Sequence, residues 1–300
     1  MPLLVLMLCL ILPDLSQAAA NPPPDKLKLA SVHAVVADLE SGEVLYRKYA
    51  DIAVPIASVT KLMTALVVLE SGEPLDEWLT IVDWPGELEK NAYSRLRIGS
   101  EAQRRELLQI ALMSSENLAT NVLAHHHPGG YRAFVQAMND KARALGMTQA
   151  EFVDPAGLSP DNRASADDVM RLVQAAYRFD ELRRLSTQYQ HYATFRNPRY
   201  SLPYGNTNPL VASSRWDLEL TKTGYLTEAG RCLAMVSNVN GRPLAMVLLN
   251  SFGTRTPLGD AGRVRRWITT GEGGQVAGPA LEYERKRVRA LLEHTETAAL

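Results

Sequence analysis

The chain has 300 residues, 46% hydrophobic and 22% charged, with 19 Gly and 17 Pro. That balance excludes a disordered chain, a collagen-like fibre and a coiled coil, and the length suffices to bury a core without a disulfide or metal. A formal charge of −1, from 32 basic and 33 acidic side chains, excludes a dedicated nucleic-acid binder, which would carry a basic excess.

Leu3 to Leu12 form an apolar run too short to cross a bilayer, followed by Pro13 and the small residues of Ser16 to Ala20. This predicts a secretory signal peptide over 1–20, cleaved after Ala18 or Ala20, and hence a periplasmic protein. No Lys or Arg precedes the run, which points to a true start upstream of Met1. Leu8 before Cys9 argues against a lipoprotein. Cleavage leaves Cys232 as a single thiol, read as a small apolar strand residue. No later run is long enough for a membrane helix.

Residues 21–28 read as a flexible, Pro-rich lead-in that cannot be helical. Ser31 to Leu39 and Val44 to Lys48 flank a turn and predict a hairpin. Lys61 to Glu70 is apolar on nearly every face and stops at Gly72, so it predicts a helix buried between two layers. From Glu101 to Phe179 four helical periods follow, the last opened by a capping box of Ser165 and Asp168. Alternation returns in Leu218 to Thr223, Cys232 to Val239 and Leu244 to Leu249, the last two joined through Asn240-Gly241. A final helix is predicted over Asp260 to Thr270. The expectation is an α/β (α+β) domain over 29–270: an antiparallel sheet built from both chain ends, flanked by helices, with an all-helical insert lobe at about 74–215. Residues 271–300 read as a charged, flexible tail, with a surface helix over Glu284 to Arg289 as the alternative. Leu281, Val288, Leu291 and Leu292 offer only a thin apolar face for weak membrane-surface contact.

Three motifs carry chemistry. In Ser58-Val59-Thr60-Lys61, at the start of the buried helix, a spacing of three places hydroxyl and amine on one face. Serine needs a base to become a nucleophile, and a lysine serves when burial or nearby positive charge favours its neutral form. Backbone N–H groups at the helix start are available to an oxyanion. Ser115-Glu116-Asn117 interrupts two helices; its side chains can relay a proton and hold an amide, or simply cap a helix. Lys222-Thr223-Gly224 lies in a strand, where a buried lysine needs a partner and the glycine permits close backbone approach.

These motifs, in this order, resemble the active-site set of the penicillin-binding proteins and serine β-lactamases. Pro155 to Ser159, His126 to Tyr131 and Leu220 to Tyr225 further resemble the low-molecular-mass D-alanyl-D-alanine endopeptidases of the penicillin-binding protein 7 type. The resemblance spans about Leu29 to Thr270 and implies a β-lactamase/transpeptidase-like fold. It implies a serine-type peptidase that cuts DD cross-links between peptidoglycan stem peptides and is inhibited covalently by β-lactam antibiotics. Ser58 would be acylated, Lys61 would be its base and Ser115 would pass the proton to the leaving amine. Asn117 would bind the substrate amide. Lys222 would help keep Lys61 neutral, Thr223 would position a carboxylate, and the N–H groups of Ser58 and Tyr225, beside Gly224, would form the oxyanion hole. No cofactor or metal is implied, and no oligomeric state.

His125-His126-His127 diverge on a helix and lack companion ligands, so zinc is disfavoured. Asp167 and Asp168 read as helix N-terminal charges, and Asp154 to Gly157 as turn chemistry bordering the site. Glu151 lacks the sequence context of a β-lactamase deacylating glutamate. A D-alanyl-D-alanine carboxypeptidase is the main alternative, disfavoured because only residues 225–300 follow the third motif, too few for a second all-β domain and an anchor. A non-catalytic peptidoglycan-binding partner is disfavoured because all catalytic groups are present.

Overall fold

The computed structural model describes residues 21–84 and 93–298; the expected signal peptide lies outside them. Strands β1 (His33–Asp38) and β2 (Val44–Lys48) form the predicted hairpin. Strands β3 (Val54–Pro55), β4 (Trp78–Thr80), β5 (Glu101–Gln103), β6 (Arg163–Ala164), β7 (Gln190–Phe195) and β8 (Tyr200–Gly205) are short. Strands β9 (Asp217–Leu226), β10 (Gly230–Val239) and β11 (Arg242–Ser251) are long. The main sheet is antiparallel with order β2-β1-β11-β10-β9. Both chain ends therefore build it, as the two clusters of alternating segments required.

All six residues of β1 are buried, and along β11 alternate side chains enter opposite cores. Ala245, Val247 and Leu249 face the helical side; Leu244, Met246 and Leu248 face helix α7 (Thr256–Thr270), which starts four residues before the predicted span. The period of two thus distributes apolar side chains to both faces of one strand. Helix α1 (Lys61–Glu70) is buried from Lys61 to Val68. It lies among α2 (Arg104–Met113), α3 (Asn117–His125), α4 (Gly130–Ala144) and α5 (Ala166–Tyr177), all within the predicted helical periods. The capping box opens α5: Ser165 accepts from the Asp168 N–H at 3.0 Å and the Asp168 carboxylate accepts from the Ser165 N–H at 3.4 Å.

Three expectations need correction. The insert also carries helix α6 (Asp180–Thr187) and two ribbons, β4 with β5 and β7 with β8. The second ribbon was hidden by Pro203 within its strand; Pro203 and the Tyr192 it faces are both exposed, so the missing N–H costs little. The lead-in is ordered. Pro24–Lys26 make a 3₁₀ turn, Leu27 and Leu29 enter the α7-side core, and Trp267 Nε1 donates to the Pro23 carbonyl at 3.0 Å. Proline at the first position of such a turn is tolerated because that N–H has no partner in any case.

The charged tail is helix α8 (Gly278–Ala298), joined to the sheet through its side chains. Tyr283 Oη donates to Asn250 Oδ1 at 2.7 Å, Glu284 pairs with Lys48 at 3.1 Å, and Ala280 is buried. Local composition did not reveal these partners because they sit on β2 and at the end of β11. Among the described residues no helix is long and apolar enough to cross a membrane.

The two ends of the chain are joined by a buried acid. Asp260 on α7 is fully buried and accepts from the N–H groups of Ala30 (3.1 Å) and Ser31 (2.7 Å) and from Ser31 Oγ (2.6 Å), with Arg263 at 2.9 Å. Removing it leaves buried donors and a cation without their acceptor. Asp260→Ala is expected to lower unfolding stability by about 3 kcal/mol, read from urea denaturation; a change below about 1 kcal/mol would mean that water replaces the carboxylate there.

Candidate active site

Ser58 sits in a 3₁₀ turn, Ala57–Thr60, that runs directly into α1, so the expected helix start is one tight turn earlier than an α-helical N-terminus. Ala57 holds φ +48 and Ser115 holds φ +61, two non-glycine residues in the left-handed region. Such residues cost about 1–3 kcal/mol each and persist where the surroundings fix them. The fixing groups are visible. Gly157 approaches so closely that a Cβ there would stand 2.1 Å from the Ala57 carbonyl oxygen, and one on Gly224 would stand 3.1 Å from the Ser58 nitrogen. The nucleophile turn is clamped between a loop and strand β9.

The loop is built by one carboxylate. Asp154 Oδ1 accepts from the N–H groups of Ala156 and Gly157, both at 2.7 Å, and Oδ2 accepts from Ser159 N–H at 2.9 Å and Asn162 Nδ2 at 2.6 Å. Asp154 thereby aims the Ala156 carbonyl at Lys61. The sequence placed this segment beside the site as turn chemistry, and the structure puts it in direct contact with the amine.

Lys61 is 1% exposed. Its Nζ lies 3.0 Å from Ser58 Oγ, 2.7 Å from Asn117 Oδ1 and 2.6 Å from the Ala156 carbonyl oxygen. An ammonium satisfies all three with its three N–H bonds. A neutral amine keeps two of them on the carbonyl oxygens and turns its lone pair to the serine hydroxyl. Burial pulls the Lys61 amine down to about 7, against the opposing charges of Asp154 and Glu116. At neutral pH both forms are therefore populated.

Lys222, also 1% exposed, donates from Nζ to Ser115 Oγ at 3.0 Å and to the Thr223 carbonyl at 2.8 Å. Burial lowers it well below the usual lysine value, and repulsion from Lys61 lowers it further. The repulsion is mutual: a proton on either amine disfavours one on the other. Lys61 has two carboxylates within its electrostatic reach, so the poorer site for positive charge is Lys222. Thr223 Oγ1 shares a hydrogen bond of 2.7 Å with Thr207 Oγ1.

Ser58, Ser115, Asn117, Thr223, Gly224 and Tyr225 line one cleft of about 410 Å³, at whose edge Lys61 and Lys222 are buried. All eight residues singled out in the sequence thus converge. Among the further lining residues, two with polar side chains were not singled out in the sequence and stand beside site residues: Thr207, and Arg231, whose guanidinium lies 3.9 Å from the Tyr225 ring centroid. Arg231 faces Tyr225 across the β9–β10 register, a pairing with no local sequence signal. Cys232 is buried in β10, and burial pushes its thiol up to about 12, which makes it unreactive. Glu151 does not line the cleft; its backbone bridges Arg163. His126 meets the Thr80 carbonyl at 3.0 Å while His127 packs edge-on against Phe134, so the histidine run diverges.

Comparison with known proteins matches residues 16–253 to the peptidase S11 family, described as D-alanyl-D-alanine carboxypeptidase. The chain belongs to this family. It is 43% identical to a D-alanyl-D-alanine endopeptidase of Escherichia coli over 94% of this chain and 91% of that one. Against a D-alanyl-D-alanine endopeptidase of Pseudomonas aeruginosa it is 45% identical, over 90% and 89% respectively. Among solved structures, a mutant of a Streptomyces DD-transpeptidase superposes with a TM-score of 0.73 at 26% identity, covering 81% of this chain and 99% of that one. Penicillin-binding protein D2 of Listeria monocytogenes in its ampicillin-bound form gives 0.70 at 26% identity with the same coverage. The expected transpeptidase-like fold and endopeptidase resemblance are those of these relatives.

The clamp on the nucleophile turn has a direct test. Gly157→Ala adds a Cβ against the Ala57 carbonyl at a backbone angle of φ +73, so the turn must shift. Labelling of the folded variant by fluorescent penicillin is expected to slow at least about a hundredfold, the scale of an ångström misplacement at a reacting centre. Labelling at the wild-type rate would show that the turn holds its geometry without the loop.

Proposed function

We propose that this chain is a serine-type D-alanyl-D-alanine endopeptidase that hydrolyses DD cross-links between peptidoglycan stem peptides and is acylated by β-lactams. The observation that carries the reading is the Ser58–Lys61 contact: a serine hydroxyl 3.0 Å from a buried amine whose affinity for a proton is lowered to about 7. The two curated relatives with 43% and 45% identity are both endopeptidases, and this supports that activity over the carboxypeptidase.

In the proposed cycle neutral Lys61 takes the Ser58 proton as Oγ attacks the D-alanyl carbonyl carbon. The developing oxyanion is held by the N–H groups of Ser58 and Tyr225, an arrangement favoured by the close passage of β9 at Gly224. The C–N bond then breaks and the acyl group stays on Ser58, while Ser115, hydrogen-bonded to Lys222, delivers its hydroxyl proton to the leaving amine and takes the proton held by Lys61 in its place, so that Lys61 is neutral again for the attack by water. Asn117 holds the substrate amide and Thr223 the carboxylate of the leaving side. Water attacks the ester and restores Ser58. A β-lactam enters at the same carbonyl position, but its leaving nitrogen remains tethered. A periplasmic location accompanies this substrate.

The pH dependence follows from the sign of the lysine shift. The active form of Lys61 is the deprotonated one, so acylation is complete above about pH 7 and is lost as pH falls through that value. The second-order rate of penicillin labelling is expected to fall about fiftyfold between pH 7 and pH 5; a flat profile would remove Lys61 as the base. Ser58→Ala should not label at all.

Mass spectrometry of muropeptides, with a cross-linked dimer and a monomeric pentapeptide in one reaction, tests the activity itself. Conversion of dimer to monomer by the wild type and not by Ser58→Ala is the expected result. Release of D-alanine with the dimer intact would identify a carboxypeptidase instead, and turnover of neither would favour a binding role.

A further inference from the structure

A second concavity adjoins the catalytic cleft. It is a trough of about 480 Å³ between the 3₁₀ turn Pro209–Ala212 and one face of α7. Leu258 lines both spaces, and Pro209 at the cleft is followed by Leu210 at the trough. The walls of the trough carry Arg215, Arg265 and Arg266, with Trp216 beneath the Arg265 guanidinium at 5.5 Å from its ring centroid. Among the described residues no carboxylate lines it, and the acid that α7 does carry, Asp260, is buried on Arg263. In a chain of formal charge −1, three arginines without a lining acid concentrate positive potential at one place. Gly262 lies in the lining, where an added Cβ would meet nothing within 4 Å.

The trough meets the cleft at Leu258 and at the step from Pro209 to Leu210, two residues along the chain from Thr207, the hydroxyl partner of Thr223. That is the side to which the proposed cycle assigns the leaving group. Guanidinium groups bind carboxylates through paired N–H donors, and a neighbouring indole supports an extended chain by stacking. We propose that this trough is a subsite for the leaving arm of a cross-linked peptide, with Arg215, Arg265 and Arg266 binding its free carboxylates. The inference rests on the endopeptidase reading. It supplies a reason for preferring a cross-linked substrate over a monomer: a leaving group consisting of one D-alanine ends before the trough.

The test measures binding rather than turnover, using the mature chain with Ser58→Ala so that substrate persists. A cross-linked dimer with free carboxylates is compared with the same dimer amidated on the leaving arm at every carboxylate except the one beside the scissile amide, which the proposed cycle assigns to Thr223. The dissociation constant is expected to rise at least about tenfold for the amidated dimer, and similarly for Arg265→Glu and for Gly262→Leu, which fills the trough without removing a charge. The amidated dimer gives the answer even if one variant fails to fold. Equal affinities across the set would overturn the subsite. So would loss of binding to phosphatidylglycerol vesicles in Arg265→Glu with dimer affinity unchanged, since the arginines would then serve a membrane surface. Carboxylate-dependent dimer binding by a wild-type enzyme that releases only D-alanine from the pentapeptide would uphold the subsite and refute the endopeptidase reading.

Discussion

Two lysine amines, those of Lys61 and Lys222, lie almost wholly out of water on either side of one serine-lined cleft. Neither touches a carboxylate at ion-pair distance; their partners are hydroxyls, an amide oxygen and backbone carbonyls. A cation in such a place is expensive, and the protein meets the expense by letting the proton leave. Asp154 and Glu116 stand near enough to stop Lys61 from being neutral at every pH, which sets its value near the working range. Lys222, which lacks such acids, is likewise held well below the usual lysine value by its burial.

Much of the surrounding architecture serves to keep these amines dry and aimed. Helix α1 is enclosed because a solvated helix could not bury Lys61 at its first turn. The five-stranded sheet has apolar side chains on both faces, so β9 can carry Lys222 into the interior and still be held by β10 and the helical layer. Strain at Ala57 and Ser115 is tolerated for the same reason: the clamp of Gly157 and Gly224 leaves the turn little room to relax. Stability gained in the two cores thereby supports a site that is itself destabilising.

How much was legible in the sequence depended on the range of the interaction. The span of α1, the helical periods of α2 to α5, the β10–β11 hairpin at Asn240-Gly241 and the capping box at Ser165 are all local patterns, and the structure has them where the pattern put them. Ribbon β7–β8, helix α8 and the ordered lead-in are held by remote partners: Glu106 beside His191, Asn250 beneath Tyr283, Trp267 on Pro23. Proline in the ribbon and the lead-in pointed to loop, and charge left the tail between a surface helix and a flexible end; tertiary contacts decided all three.

The same division applies to the site. By itself, the sequence determined which groups could do chemistry, because hydroxyl and amine at a spacing of three share a helical face and the other two motifs name their own partners. Only the tertiary structure decided that Lys61 would be a base, since a lysine's proton affinity is set by the water it loses and by charges such as Asp154 that are far away in the chain. It alone brought Arg231 to Tyr225 and opened an arginine-lined trough that shares Leu258 with the cleft. Those arrangements are matters of strand register and helix packing, and no single segment of the chain encodes them.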